Sequence, residues 1–225
     1  MATNYSPKIV TDGLVLCLDA ANPKSYPGSG TTWTDLSGNG NDGTLVNGVG
    51  FDSGNQGSLT FDGVNDYVDC GNIFNAENQS LTGMVNSKEI SFSKYNAFLD
   101  KLSSGGSWRF HSNNGNLLLG VRPNAGGYTT ISSGAILSTN IWYNLAFSYN
   151  SATNFVSLFV NGLMVTSGTL SLTPGSNGTP LRIGRATNNG VYSNFNMGGA
   201  MLYDRALTEA EIKQNFNALR GRYGI

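Results

Sequence analysis

The sequence predicts an all-β protein, built as a two-sheet antiparallel sandwich with one short helix near the C-terminus. Short apolar runs recur along the 225 residues, and each is bounded by Gly, Asn, Ser or Asp. This pattern is typical of strands joined by tight turns. The 30 glycines suit the positive-φ positions that such turns need. The hydrophobic content of 39% indicates a packed core, and the lack of a repeat period argues against a propeller or solenoid.

The predicted strands follow one another along most of the chain. They cover residues 14–19, 44–46, 58–62, 66–70, 95–102, 108–111, 117–121, 128–131, 142–149, 155–160, 163–167, 181–184 and 197–203. The sharpest hairpin signal is the pair Asn161-Gly162, because a two-residue type I′ turn needs positive φ at both central positions. We therefore expect the strands on either side of it to pair antiparallel.

A single segment, residues 208–219, has the pattern of a helix. Thr208 and Glu211 have the spacing of a capping box, and Ile212, Phe216 and Leu219 share one apolar face. The pair Glu209 and Glu211 lies in the first turn, where negative charge is favourable. We expect this helix to dock on the sandwich and to serve structure.

Charge and composition exclude several classes of partner. The chain has 13 Lys and Arg against 14 Asp and Glu, so it offers no basic surface for nucleic acid. No run approaches the ~20 apolar residues of a membrane span, and residues 1–10 lack the regions of a signal peptide. Cys17 and Cys70 are too few for a disulfide scaffold or a four-thiolate zinc site, and we expect two buried free thiols.

Several segments in order resemble the laminin-G-like group of concanavalin A-like jelly rolls, as found in phage virion proteins and bacterial surface proteins. They are DGLVLCLDAANPKSYPGSGTTWTDLSGNGNDGTL (12–45), SLTFDGVNDYV (58–68), WYNLAFSY (142–149), LFVNG (158–162), LRIGR (181–185) and YDRALTEAEI (203–212). The stretch 80–102 departs from the family pattern because it lacks an aromatic-rich strand after Ser-Leu-Thr. The first strand predicted after Cys70 accordingly begins at residue 95.

The resemblance implies one jelly-roll domain over residues 1–225, with an N-terminal extension at 1–12. Phage members of this family serve as virion decoration or adhesion modules, and cellular members bind glycans or proteins. The resemblance therefore implies a recognition module on a virion surface, or otherwise an extracellular or bacterial cell-surface protein. Its partners would be a glycan or cell-surface component and other virion proteins. Assembly as a homo-oligomer stays open, as does a purely structural decoration role without a sugar site.

Some related jelly rolls hydrolyse polysaccharides, which makes a hydrolase the second alternative. Those relatives carry Glu-x-Asp-x-x-Glu or Glu-x-Asp-x-Glu on one strand, and this sequence contains neither motif. Glu209 and Glu211 belong to the helix start, and the sole histidine, His111, has no nucleophile motif near it. We predict that the protein is not an enzyme and that His111 lies at the surface or rim.

Calcium is the cofactor that the turn-rich loops suit best, because it binds carboxylate, amide and carbonyl oxygens. The oxygen ligands fall on two loops that the sandwich could bring to one rim. They are Asp35, Asn39, Asn41 and Asp42 in the first loop, and Asp62, Asn65 and Asp66 in the second. The alternative is that these side chains bond their own backbone in Asx-turns.

Sugars bind to proteins by stacking on aromatic rings beside polar and charged side chains. The candidate ligand-binding residues are Trp108, Arg109, His111, Arg122, Tyr128 and Tyr192. For each aromatic residue the alternative is packing in the core, because one face of a strand is hidden. We assign Trp33 and Trp142 to the core, and we expect Arg182 and Arg185 to protect a sheet edge.

Overall fold

The computed structural model describes residues 7–74, 76–92 and 95–225. Residues 1–6 of the predicted extension 1–12 lie outside the described residues. The strands are β1 (Leu14–Asp19), β2 (Thr32–Trp33), β3 (Gly43–Val46), β4 (Gly50–Asp52), β5 (Ser58–Asp62), β6 (Tyr67–Asp69), β7 (Leu81–Glu89), β8 (Asn96–Asp100), β9 (Ser107–Asn113), β10 (Asn116–Arg122), β11 (Thr129–Ala135), β12 (Trp142–Asn150), β13 (Phe155–Val160), β14 (Leu163–Thr169), β15 (Arg182–Ile183), β16 (Arg185–Ala186), β17 (Val191–Tyr192) and β18 (Asn194–Tyr203). The helix α1 spans Glu209–Leu219, and 3₁₀ turns cover Gly54–Gln56 and Arg220–Arg222.

Two antiparallel sheets contain most of these strands. Sheet A has the order β14-β13-β12-β7-β18-β5-β4, with β1 also paired to β18. Sheet B has the order β11-β10-β9-β8-β15-β6-β3-β2, and β16 and β17 form a separate hairpin. The described part of the chain therefore has the predicted architecture, an all-β jelly-roll sandwich of concanavalin A-like type with a short C-terminal helix.

The main core lies between the two sheets. Phe147 of β12 contacts Trp108 and Phe110 of β9, with ring centroids 5.6 Å and 5.0 Å apart. Phe98 of β8 meets Phe195 of β18 at 5.7 Å. Because side chains alternate along a strand, the residues of β9 between these aromatics point away from the core. The alternation gives sheet B a second, outward-facing surface.

The outer face of sheet A is covered by a second apolar cluster beneath α1. Met84, Phe159 and Ile212 belong to it and are buried. The helix begins with the predicted capping box, in which the Thr208 backbone N–H donates to Glu211 Oε2 at 2.8 Å and the Glu211 N–H donates to Thr208 Oγ1 at 3.3 Å. Within the described residues no helix has the length and apolar character that a membrane crossing requires.

The predicted hairpin at Asn161-Gly162 is confirmed. Both residues have positive φ, 51° and 74°, and Val160 pairs with Leu163 across the turn. This is the geometry that only residues tolerant of positive φ adopt without strain. The turn therefore sets the pairing next to it, and a register shift between Leu158 and Phe159 changes the pairing further along the hairpin.

The sequence did not predict β7, which pairs with β12 and β18 in the middle of sheet A. Arg182 was expected at a sheet edge, and this is wrong because β15 lies between β8 and β6 inside sheet B. Trp33 and Trp142 are buried as predicted. Cys17 and Cys70 are buried free thiols, also as predicted.

Candidate functional site

The outer face of sheet B carries a row of alternating charges across four neighbouring strands. Arg109 is in register with Asp100, Asp100 with Arg182, and Arg182 with Asp69. Arg109 forms an ion pair with Asp100 in which both side chains are almost fully buried. The Arg182 Nε lies 3.4 Å from Asp69 Oδ2, and that pair is more exposed. The face thus contains one buried and one partly exposed ion pair.

A trough of about 270 Å³ lies over β9 and β10 on this face. Arg109 and His111 form its floor, 3% and 2% exposed, beside the half-buried Leu118 of β10. The His111 ring also lies 5.6 Å from the ring of Tyr95, which borders the trough. We refer to this feature as the trough throughout.

One wall of the trough is made by Tyr128 and Arg122. The Tyr128 ring lies so close to the backbone of Gly120 that a side chain at that position would collide with it. The Arg122 guanidinium lies over the Tyr128 ring at 6.0 Å, which is a cation–π arrangement. The glycine therefore permits an aromatic ring, 42% exposed, to lie along the sheet surface.

The opposite wall comes from the loop between β16 and β17. Asn188 and Asn189 line the trough there, and Asn188 Oδ1 accepts a hydrogen bond from the Arg109 guanidinium. Thr187 N–H, in the same loop, donates a long hydrogen bond of 3.4 Å to Asp100 Oδ1. The buried ion pair therefore anchors the loop that closes this side.

Burial determines the protonation states of His111 and Asp100 at the floor of the trough. Burial, together with the nearby Arg109 charge, lowers the pKa of His111 to about 3, so the imidazole is neutral at neutral pH. Burial also raises the pKa of Asp100, while the Arg109 guanidinium opposes that shift. The floor therefore presents a neutral ring beside a paired guanidinium.

Two nitrogens in the trough lack protein partners. Within the described residues, neither His111 Nδ1 nor Arg122 Nε has a hydrogen-bond partner, although both atoms are buried. Such buried polar atoms are uncommon in folded proteins because leaving them unpaired costs on the order of 1–3 kcal/mol each. A polar ligand in the trough would give these two nitrogens the hydrogen-bond partners that the protein does not supply.

The trough brings together four of the six predicted ligand-binding residues, namely Arg109, His111, Arg122 and Tyr128. Trp108 is fully buried in the core instead, because it alternates with Arg109 along β9. His111 was expected at the surface or rim, and this is wrong because it is buried in the floor. Sequence reasoning missed Tyr95, Asn188 and Asn189, which no local pattern connects to β9.

Tyr192 lies in β17, directly after the β16–β17 loop, and does not line the trough. Its ring and that of Tyr67 flank Arg185, whose guanidinium is 5.3 Å and 5.1 Å from the two ring centroids. Tyr192 borders a separate pocket of about 240 Å³, which Asp62 and Asn194 also line. The predicted set of six is therefore divided between the core, the trough and this neighbouring cluster.

The first predicted calcium loop is organised by its own hydrogen bonds. Asp35 accepts from the backbone N–H of Cys17 at 2.8 Å and of Asn41 at 3.1 Å. Asp42 in turn accepts from the backbone N–H of Asp35 at 2.8 Å. The amides of Asn39 and Asn41 donate to backbone carbonyls of β1, at 3.1 Å and 2.7 Å. These side chains hold the loop against β1.

The second loop uses its carboxylates in the same way. Asp62 Oδ1 accepts from the Val64 N–H at 2.7 Å, and Asp66 Oδ2 accepts from the Asp62 N–H at 3.3 Å. The backbone carbonyl of Asn65 accepts from the side chain of Asn47 at 3.0 Å. Burial raises the pKa of Asp66.

The two loops do not share a rim, contrary to expectation. The first ends directly before β3, whereas the second contacts Asn47, directly after β3. The four residues of β3 separate these ends by roughly 13 Å. No cluster of three or more His, Cys, Asp or Glu side chains among the described residues is placed to hold a metal ion. Calcium therefore stays a prediction from the sequence.

Comparison with protein families finds one match over most of the chain. The concanavalin A-like lectin/glucanases superfamily matches residues 61–213. No curated protein matches the chain.

Solved structures with a similar fold include the binding domain of Paraclostridial Mosquitocidal Protein 1, with a TM-score of 0.75, 17% identity, and coverage of 92% of this chain and 52% of that one. The binding domain of botulinum neurotoxin DC in complex with SialylT is similar, with a TM-score of 0.71, 14% identity, and coverage of 93% of this chain and 52% of that one. The same domain in complex with rat synaptotagmin II has a TM-score of 0.72, with the same identity and coverages. The chain spans about half the length of these structures, and likeness at such identities shows the fold alone.

Proposed function

Since the chain belongs to the concanavalin A-like lectin/glucanases superfamily, we propose that it is a non-catalytic recognition module whose trough binds a glycan. The observation that carries this proposal is the pair of unpartnered buried nitrogens, His111 Nδ1 and Arg122 Nε, beside the exposed ring of Tyr128. A sugar has an apolar face that stacks on an aromatic ring and hydroxyls that supply hydrogen bonds. The trough offers both kinds of contact within one concave surface.

The surroundings of the carboxylates support a binding role. Glycoside hydrolysis needs two carboxyl groups about 5 Å or about 6.5–9.5 Å apart, on either side of the scissile bond. The described residues that line the trough include no carboxylate. Asp100, beneath the floor, is fully buried and paired with Arg109, and Glu211 is held in the capping box of α1. Neither is placed to act on a ligand in the trough.

The location that we propose is a virion surface, with an extracellular or bacterial cell surface as the alternative. This part rests on the resemblance of the sequence motifs to phage virion and bacterial surface domains. The two neurotoxin complexes, one with SialylT and one with synaptotagmin II, are compatible with a fold used for surface recognition. The target would then be a glycan on a host cell.

A structural decoration role is the second candidate, because β14 is an edge strand with exposed apolar side chains. Leu163 is 61% exposed, Met164 is 48% exposed and Val165 is 38% exposed. Such an edge can pair with another chain. Decoration through β14 would need no sugar in the trough, so the two roles are separable by experiment.

The test is a glycan-array screen of the wild type and two variants, Tyr128→Ala and Phe155→Ala. Phe155 is a matched control because it lies on sheet A and is 43% exposed, against 42% for Tyr128. We expect glycan binding by the wild type and by Phe155→Ala, and a loss of about ten-fold or more in Tyr128→Ala, in keeping with the stacking of a ring. Parallel screens with calcium and with excess chelator test the calcium prediction.

If the folded wild type binds no glycan on the array, with calcium or with chelator, the glycan proposal is overturned and decoration through β14 is favoured. Equal binding by all three proteins would show that the glycan binds outside the trough. Binding that is lost on chelation would support calcium at the loops 35–42 or 62–66, whereas binding that survives chelation would remove calcium from the recognition mechanism.

A further inference from the structure

Arg122 carries a positive charge that no carboxylate balances within the described residues. The ion pairs there involve Arg109, Arg182, Arg205 and Arg222. Arg122 is absent from them, and its Nε is buried without a hydrogen-bond partner. A guanidinium whose nitrogen is shielded from water and unpaired is destabilised until an acceptor arrives. An anion bound at Arg122 would supply the acceptor that its guanidinium does not have.

The chemistry of Arg122 suits an acidic group that presents two neighbouring oxygens. Its guanidinium lies over the Tyr128 ring, with Cζ 6.0 Å from the ring centroid, which is a loose cation–π contact rather than close stacking. The edge N–H donors of a guanidinium match a carboxylate or sulfate with two parallel hydrogen bonds. The burial of Nε restricts the side chain before a ligand binds, which lowers the entropy that binding costs.

The other groups of the trough leave this charge uncompensated. Arg109 is neutralised by Asp100, and burial keeps the His111 imidazole neutral by lowering its pKa to about 3. Burial raises the pKa of Tyr128, so its hydroxyl stays protonated. The trough therefore contains one unbalanced positive charge, and coulombic attraction in such a partly desolvated place is stronger than in water.

We infer that the glycan bound in the trough carries an acidic group, a carboxylate or a sulfate, and that the Arg122 guanidinium receives it. This inference rests on the proposed function, since it names the class of glycan for the same trough. Tyr128 would stack on the sugar ring that bears the acidic group, and His111 Nδ1 would accept a hydrogen bond from a neighbouring hydroxyl.

The experiment compares paired acidic and neutral probes by titration calorimetry. The pairs are sialyllactose with lactose, oligogalacturonate with its carboxyl-reduced form, and sulfated with unsulfated dextran oligosaccharides, so that carboxylate and sulfate are distinguished. We expect the acidic member of at least one pair to bind about ten-fold or more tightly than its neutral partner, as a charge-assisted hydrogen bond implies.

Two substitutions that each remove one positive charge show where the acidic group binds. Arg122→Gln is expected to abolish the preference for the acidic member. Arg185→Gln is the matched control, because Arg185 also makes cation–π contacts and has a buried, unpartnered Nε, but it lies outside the trough. We expect it to keep the preference within about two-fold. Arg122→Lys, which keeps the charge without the planar fork, is expected to weaken acidic binding less than Arg122→Gln.

Three results would overturn the inference. Equal affinity for the acidic and neutral members of every pair would contradict the acidic-group inference, while glycan binding itself would still be supported. Equal losses in Arg122→Gln and Arg185→Gln would show that the overall field of the face, rather than Arg122, attracts the acidic probe. Absence of binding to every probe and to the whole glycan array would overturn both the inference and the proposed function.

Discussion

The two outer faces of the sandwich are built from antiparallel strands and have opposite surroundings. On sheet A, Met84, Phe159 and Met201 point outward and are buried beneath α1. On sheet B, the outward residues of β9 include Arg109 and His111, and the face is left open as the trough. The difference teaches that a sheet covered on both sides needs apolar side chains on both sides, whereas an open face can hold the polar groups that bind a ligand.

The largest effect on stability is expected when the buried ion pair between Arg109 and Asp100 on the open face is broken. Asp100→Asn leaves the buried Arg109 cation without a counter-charge, and we expect a loss of about 3–5 kcal/mol in the free energy of unfolding. The control is Asp69→Asn in the more exposed pair with Arg182, for which about 0–1 kcal/mol is expected. Urea denaturation measures both. Similar losses in the two variants would mean that burial does not distinguish the pairs.

The covered face is tested by Ile212→Ala in α1. Ile212 is fully buried against sheet A, so its truncation should cost about 2–5 kcal/mol of stability through lost contacts and a cavity. Glycan affinity of the folded variant should stay at the wild-type level, because α1 and the trough lie on opposite faces. Denaturation and the glycan titration are the two measurements, and a change in affinity at constant fold would break the comparison.

His111, on the open face, makes the stability of the protein depend on pH. Its unfolded-state pKa is about 6.5 and its folded pKa is about 3, so the unfolded chain takes up the proton first as the pH falls. The contribution to stability is therefore present above pH 6.5 and is lost between about 6.5 and 3, by about 2 kcal/mol from pH 7 to 5.

The comparison of wild type with His111→Gln isolates this effect. Burial raises the pKa of Glu89 and of Asp100, and such groups act in the opposite direction because the folded state then binds their protons more readily. These carboxyls are present in both proteins, so the difference between the two stability profiles reports on His111. Parallel profiles from pH 7 to 5 would contradict the assignment.

The smallest effect is expected at the N-terminus of α1. Thr208→Ala removes the side-chain oxygen that accepts from the Glu211 N–H, and a cap of this kind stabilises a helix by about 1 kcal/mol. Thr169→Ala, at an exposed position of the edge strand β14, is the control and should change stability by less than about 0.5 kcal/mol. Thermal or urea unfolding separates the two, and equal shifts would show that the cap is not used.

Much of the fold could be predicted because its signals are local. The apolar runs of β6 and β10, the Asn161-Gly162 turn and the capping box each depend on a few neighbouring residues. β7 was missed because it is buried on both faces, so its sequence, which includes Asn86, shows no alternation of apolar and polar residues. The side-chain oxygen of Asn86 accepts a hydrogen bond from the amide of Asn144 in β12, at 3.0 Å.

The candidate site likewise has features that local sequence predicts and features that depend on tertiary contacts. The sequence by itself determined that Arg109 and His111 share a face of β9, because side chains alternate along a strand. The same alternation puts Trp108 on the other face, although the predicted ligand-binding set included it. Only the tertiary structure decided that this face is the open one, that Tyr128 lies against Gly120, and that the loop with Asn188 closes the trough. The physical reason is that these contacts join strands distant in sequence, whose relative positions depend on the packing of the whole sandwich.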